Sequence, residues 1–345
     1  MRILIVSPGS LAVPGGNTSS ILRLQDGLRG AGHQVQTCEA SAGELGSIEP
    51  GSFDVVHGFH VRKGGSAALK IARAIGARLV VTLTGTETSL DWKAPEARAE
   101  VLRVLESGSG LIALRQSHLE ELRGLSGLAL QDAAVIPQTI RLGQDPFDLR
   151  GALGLDSTAR LVLLPGGLRP VKAQDWALDV LEKQAGNGIA WHLVLMGPVL
   201  DRDYSEALLR RVQACPQAHY LGSMDLQKMG ACYAACELVL NTSETEGESN
   251  AILESMQAQR TVLARSNPGN RSLIEDGQTG CLFDTHKGLG EGIQRILGDG
   301  ELRQQLTSAA KEWVRPRSDL AMETRAHLRI YQAGARLGFD RAPGE

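Results

Sequence analysis

Short apolar runs alternate with stretches of helical periodicity along this chain; the alternation breaks once and then restarts. Ile3–Val6, Gln34–Thr37, Asp54–His57, Leu79–Leu83, Gly110–Leu114 and Ala133–Ile136 read as strands, with amphipathic stretches such as Thr18–Arg29 and Ser66–Ile75 between them. Continuous apolar strands separated by helices indicate a parallel sheet covered on both faces. Arg141–Asp156, with Gly143, Pro146, Gly151 and Gly154 and weak periodicity, reads as a linker. The pattern then resumes with Leu161–Leu164, Trp191–Met196, His219–Leu221, Glu237–Asn241, Thr261–Ala264 and Gly280–Phe283. Helices are predicted at about Lys172–Glu182, Tyr204–Gln213, Leu226–Ala234 and Ser249–Gln257, and a helical tail over Glu301–Leu337. The expected fold is α/β: two facing Rossmann-like doubly wound parallel-sheet domains, with ligands at the carboxyl ends of the strands. The sequence permits the terminal helix to cross back onto the first domain.

Composition narrows the function classes. The chain has 345 residues, 36 basic against 39 acidic side chains, and a net charge of −3. A general nucleic-acid binder would show a basic excess, so any anionic ligand must be met by a few placed groups. The five cysteines are scattered, and although Cys232 and Cys236 could sit one helical turn apart, no second ligand pair accompanies them. They read as thiols of a reducing cytosol rather than a zinc site. The apolar run within Met1–Ser7 is too short for a signal peptide. No apolar stretch approaches the roughly 20 residues of a transmembrane helix, so the expected location is cytoplasmic. Oligomeric state is left open.

The densest chemistry lies in Asn241-Thr-Ser-Glu-Thr-Glu-Gly-Glu-Ser-Asn-Ala-Ile-Leu-Glu254, where a strand ends, a polar loop follows and a helix opens near Ser249. Helix N-termini attract phosphate, whereas carboxylates repel it and accept hydrogen bonds from hydroxyls. Phosphate plus diols describes a sugar nucleotide. Side chains on a helix lean toward its N-terminus, so Glu254 points back to a ribose diol while Glu246 meets the sugar ring. The backbone N–H groups of Gly247, Glu248, Ser249 and Asn250 would face the diphosphate. As bare carboxylate spacing, the same residues read better as an acidic loop with Ser249 as an ordinary cap. Gly166-Gly-Leu-Arg-Pro-Val-Lys172 follows the first strand of the second half, where Arg169 and Lys172 would offset a leaving diphosphate. A solvated basic turn is the competing interpretation.

Other segments say less. Pro8–Thr18 offers Gly15 and Gly16 for close approach to a ligand, and Asn17 or Thr18 as a helix cap. Thr82-Leu-Thr-Gly-Thr-Glu87 could present Thr84, Thr86 and Glu87 to an acceptor or a phosphate, and reads equally as a satisfied polar turn. His57 and His60 read as structural. Asp201-Arg-Asp203 falls where a helix begins, so Asp203 reads as a cap or first-turn acid and no metal is assigned.

Glu246-Gly-Glu-Ser-Asn-Ala-Ile-Leu-Glu254 resembles the Glu-x7-Glu motif of family 4 retaining glycosyltransferases of the GT-B fold. The resemblance extends through the glycine-rich opening, Gly32-His-Gln-Val35, Asp54-Val-Val-His57, Val194-Leu-Met-Gly197, Ala264-Arg-Ser-Asn-Pro-Gly-Asn270 and Glu275–Phe283. Gly-Leu-Arg-Pro-Val-Lys and Pro-Gly-Asn look like the glycosyltransferase 1 domain-containing subgroup, and are also similar to selenosugar synthases. The resemblance implies an acceptor domain over residues 1–145, a nucleotide-sugar donor domain over 146–318, and a terminal helix and tail over 319–345. It implies transfer of a hexosyl group with retention, without metal or cofactor, from a nucleotide sugar, UDP being favoured over GDP or ADP. Glu254 would bind ribose, Glu246 the sugar hydroxyls, Gly247–Asn250 and Gly197 the donor, and Lys172 the diphosphate. Gly15 and Gly16 would admit the phosphate. Two departures stand out: Gly167 occupies the place of the family arginine, with Arg169 two residues on, and Thr84 occupies that of a family histidine. The second suggests an acceptor nucleophilic enough to need little help, selenophosphate being one. A catalytically silent sugar-nucleotide sensor is the alternative from another class. The acceptor itself is not named by the sequence.

Overall fold

The computed structural model of the protein describes residues 1–41, 49–184 and 188–334. The chain divides into two compact units. Unit 1 is Met1–Ala12, Gly16–Thr139 and the segment from Asp319 onward; unit 2 is Val13–Gly15 and Ile140–Ser318.

Unit 1 holds one parallel sheet of β1 (Arg2–Ser7), β2 (Gln34–Glu39), β3 (Val55–Phe59), β4 (Arg78–Leu83), β5 (Gly110–Ala113) and β6 (Ala133–Val135), in the order β2-β1-β3-β4-β5-β6. Successive side chains of a strand point to opposite faces, and both faces are buried here. Ile3 and Ile5 join the cluster that includes Ile21, Leu24 and Leu28 of the helix Gly16–Gly30. Leu4 and Val6 join the cluster on the opposite face, with Ala68, Leu69 and Ala72 of the helix Gly65–Ile75.

Unit 2 holds a second parallel sheet: β7 (Leu161–Pro165), β8 (His192–Met196), β9 (Ala218–Tyr220), β10 (Leu238–Asn241), β11 (Thr261–Arg265) and β12 (Cys281–Phe283), in the order β12-β11-β10-β7-β8-β9. The same alternation recurs, with Val162 and Leu164 on one face and Leu161 and Leu163 on the other. Every strand expected from the sequence is present, with ends shifted by a residue or two.

Three expectations need correction. The helix predicted from Lys172 begins at Asp175, because Pro170–Lys172 forms a short 3-10 turn and Ala173 takes a left-handed backbone, φ +46°. The stretch read as a linker contains the short helix Leu149–Leu153, capped by the Asp148 carboxylate on the N–H of Gly151. The tail is two helices, Gly300–Val314 and Leu320–Gln332, broken at Arg315–Ser318. Pro316, within that break, lacks the N–H that a continuous helix needs. The tail's last expected residues, 335–337, lie outside the described residues. The helix Leu320–Gln332 belongs to unit 1: Ile330 and Tyr331 enter its core, and buried Arg23 meets buried Glu323 at 3.1 Å. Among the described residues, no helix is long and apolar enough to cross a membrane.

Candidate functional site

In an open parallel sheet, ligands bind where the strand order reverses, because the loops leaving the two neighbouring strands diverge there and leave a crevice. In unit 2 that point lies between β7 and β10. The loop after β7 carries Gly166 to Lys172, and the loop after β10 carries Thr242 to Ser249. The two loops are stitched together: the Thr242 hydroxyl donates to the Lys172 carbonyl (2.7 Å), and the Glu244 N–H to the Val171 carbonyl (2.9 Å).

The charged side chains meet across this seam. Lys172 Nζ lies 2.5 Å from Glu246 Oε1, with side chains 21% and 12% exposed, so the pair is only lightly wetted. The same carboxylate oxygen accepts from Ser243 Oγ (2.7 Å) and Asn241 Nδ2 (3.1 Å). Burial pushes the Glu246 carboxyl up, but the Lys172 ammonium and the three hydrogen bonds together hold it below the usual carboxylate range. Among the described residues, Arg169 has no ion-pair partner, and its buried Nε has no hydrogen-bond partner. Its loop is therefore a place where an incoming anion meets an uncompensated cation.

The helix Asn250–Gln257 opens directly after this loop. Ser249 occupies its cap position without capping it; the hydroxyl instead takes a hydrogen bond from Asn241 Nδ2 at 3.0 Å. Glu254, in the second turn, is half-buried and accepts from the Tyr233 hydroxyl at 2.7 Å. Burial and the neighbouring Glu254 charge hold the Tyr233 phenol well above its ordinary value, so it stays a donor. Glu248 turns away from Glu246, its side chain 0% exposed and bonded to Arg317 Nη1 at 2.7 Å.

Two glycines are required by close approach. A Cβ on Gly197, after β8, would lie 2.3 Å from the Gly166 carbonyl oxygen, so the loops after β7 and β8 touch only because neither carries a side chain there. A Cβ on Gly167 would lie 2.4 Å from Leu200, so an arginine at that place would have to displace Leu200.

The sequence-named residues thus fall into groups. Lys172 and Glu246 are in direct contact; Arg169 shares the loop of Lys172, and Gly197, after β8, packs against Gly166 of that loop; Gly247, Ser249, Asn250 and Glu254 line the adjoining helix start. In the opening segment, Gly15 and Gly16 are exposed and Asn17 half-buried, where the helix Gly16–Gly30 starts. Thr84, Thr86 and Glu87 form a cluster of their own in unit 1. Glu87 is 0% exposed and accepts from the N–H groups of Val61 (3.0 Å), Thr84 (2.9 Å) and Gly85 (2.7 Å), and from the Thr84 hydroxyl (3.2 Å). Burial opposes its charge, and the nearby His60 and His118 together with these hydrogen bonds hold it low. His60, with φ +67°, bonds Thr86 Oγ1 at 3.0 Å. His57 is fully buried between Tyr331 and Thr82, each at 2.7 Å. Asp201, rather than Asp203, caps the helix Arg202–Ala214, its carboxylate accepting from the Tyr204 N–H at 3.0 Å; Asp203 is a first-turn acid.

Sequence reasoning placed Asn241, Ser243, Asn267, Gly269 and Asn270 within quoted motifs but assigned none of them a role. All are buried beside Glu246, and a Cβ on Gly269 would lie 2.2 Å from the Glu246 carbonyl. The signal available was the run of asparagines after two neighbouring strands. Among the described residues, no three His, Cys, Asp or Glu side chains gather in a way that could hold a metal ion.

Residues 147–313 match the family of glycosyl transferases group 1. The matched segment contains both switch-point loops of unit 2 and Glu254. Similarity extends further along the chain. Glycosyltransferase 1 domain-containing protein 1 of Xenopus tropicalis is 25% identical over 325 residues, which cover 91% of this chain and 92% of that protein. Among solved structures, sucrose-phosphate synthase from Thermosynechococcus elongatus superimposes with a TM-score of 0.80 at 18% identity, covering 96% of this chain and 98% of that one. Anabaena HepE in complex with UDP-glucose gives 0.79 at 17% identity, covering 95% and 99%. These likenesses are of fold, and the fold is that of GT-B glycosyltransferases.

Proposed function

We propose that this chain is a retaining glycosyltransferase that takes a hexosyl group from a nucleotide sugar, preferentially a UDP-sugar, and needs no metal ion. The observation that carries the proposal is the grouping of Arg169, Lys172 and Glu246 at the switch point of unit 2 beside the start of the helix Asn250–Gln257. Cations alone would suit any anion, and carboxylates alone any polyol. Together they suit a molecule that is both. The UDP-glucose bound in the fold-related HepE supports the choice of uridine.

In this proposal Arg169 and Lys172 offset the diphosphate charge, aided by the helix dipole. Glu246 accepts from sugar hydroxyls, and Glu254, held by Tyr233, accepts from the ribose diol. The bond from the anomeric carbon to the phosphate oxygen breaks, and the bond to the acceptor oxygen forms on the same face. The departing phosphate takes the acceptor's proton, so neither glutamate serves as a base. Neutralisation by two side-chain cations and the dipole is the reason for expecting metal independence.

A second reading has selenophosphate as the nucleophile. It rests on Thr84, whose hydroxyl is engaged by Glu87 and which offers no imidazole. Incubation with UDP-, GDP- and ADP-sugars and varied acceptors, following nucleoside diphosphate release, tests the main proposal. Release with UDP-sugars is expected, and no release with any donor overturns it. Mass spectra of products with and without selenophosphate separate the two readings. Tight UDP binding without turnover would instead establish a sensor.

A further inference from the structure

Three buried asparagines lock the loop that carries Glu246. Asn241, Asn267 and Asn270 are 5%, 4% and 0% exposed. A backbone N–H can only donate, and that of Ser243 lies 3.1 Å from Asn241 Oδ1. The same oxygen accepts from Asn270 Nδ2 at 3.1 Å. A backbone carbonyl can only accept, and Asn270 Nδ2 also lies 2.9 Å from that of Arg265, which settles the direction of the second amide. Asn267 closes the loop, accepting from the Asn270 N–H and donating to the Ser243 carbonyl, each at 2.9 Å. With Oδ1 so occupied, Asn241 Nδ2 must face outward, to Ser249 Oγ and Glu246 Oε1.

The consequence falls on Glu246. Its Oε1 collects Lys172, Ser243 and Asn241, while among the described residues no donor faces Oε2. One oxygen is spent on holding the carboxylate still; the other is left for a ligand. We propose that Asn241 is a positioning residue that aims Glu246 at the donor sugar, and that Asn270 holds Asn241 in the single amide orientation able to do so. This rests on the donor-site assignment made above. Of the charged groups around Glu246, Lys172 touches it, while Arg169 lies in the same β7 loop. Glu244 faces Arg265 at 3.8 Å and Glu248 bonds Arg317.

Asn241→Asp is the sharpest test, because it keeps shape while setting a second carboxylate against Glu246 Oε1. Two carboxylates in hydrogen-bond contact cannot both ionise easily, so the Glu246 pKa should rise by about one unit or more. That is measured by carbon-13 NMR of glutamate-labelled protein, the signal being assigned with Glu246→Gln. In turnover, kcat should fall about 100-fold at pH 7 with KM for the UDP-sugar nearly unchanged, and the acid limb of the pH profile should move up. Asn270→Ser, which frees the Asn241 amide to turn over, should lower kcat about 10-fold with a smaller pKa change. An unchanged Glu246 pKa in folded Asn241→Asp, or kcat within about twofold of wild type in both variants, overturns the proposal. If the wild-type protein turns over no sugar nucleotide, the donor-site assignment fails, while the pKa comparison still decides what Asn241 does to Glu246.

Discussion

Two glutamates that each follow a central strand behave in opposite ways. Glu87 follows β4 in unit 1, in the short helix Thr86–Ser89, and Glu246 follows β10 in unit 2, in a polar loop; both lie beyond the carboxyl end of a central strand. Glu87 has no exposure, and its donors come from both loops around it, three of them backbone N–H groups. Glu246 keeps slight exposure, and its donors gather on one oxygen. The first carboxylate is consumed by folding and the second is held ready for something else. Residue type does not distinguish them; the placement of donors does, and only Glu246 follows a strand at the reversal of its sheet.

The largest effect that would break this comparison concerns Glu87. Glu87→Ala strands three buried N–H groups, and should cost about 3–5 kcal/mol in urea unfolding, whereas Glu246→Ala should cost about 1 kcal/mol and abolish turnover instead. Equal losses of stability would end the distinction.

Acid should separate the units next. Burial pushes the His118 imidazole down to about 4, against 6.5 in the unfolded chain. Below pH 6.5 the unfolded chain therefore binds a proton that the folded one refuses, so stability falls as pH falls toward 4. From that shift, His118 accounts for on the order of 3 kcal/mol of lost stability across this window. His118→Leu should flatten the pH dependence of unfolding by a similar amount. The carboxylates work over a lower range: both are held low, so what they contribute is present above the ordinary carboxylate value and lost as pH falls through their folded values. A pH dependence unchanged in His118→Leu would remove the histidine from this account.

The smallest effect sharpens the unit 2 side. Tyr233→Phe deletes one hydrogen bond to Glu254, the residue proposed to hold the ribose, and leaves Arg169, Lys172 and Glu246 in place. KM for the UDP-sugar should rise about fivefold, near 1 kcal/mol, with kcat held. A fall in kcat at constant KM would mean that Glu254 acts on the reacting end of the donor.

Much of this architecture could be read before any coordinates. The strands of both sheets were visible because parallel strands buried on two faces must be continuously apolar, as in Leu161–Leu164. Lys172 and Glu246 stood out through their place in loops that follow strands and through the motif resemblance, since bare charge spacing favours an ordinary solvated loop. The helix start at Asp175 was missed because Ala173 adopts a left-handed backbone that its residue type disfavours. Asn241, Asn267 and Asn270 carried no assigned role because asparagines in loops after strands read as ordinary turn residues. Their importance comes from contacts spanning 29 positions, as between Asn241 and Asn270, which no local pattern encodes.

By itself the sequence determined the strands and their succession along the chain, the restart of the pattern in a second half and the loops rich in charge, because burial of apolar runs and turn chemistry are local properties. Tertiary structure alone decided which carboxylate is spent and which is available. That outcome depends on where donors from distant loops arrive, and hydrogen-bond geometry is settled only when the strands that carry those loops lie side by side.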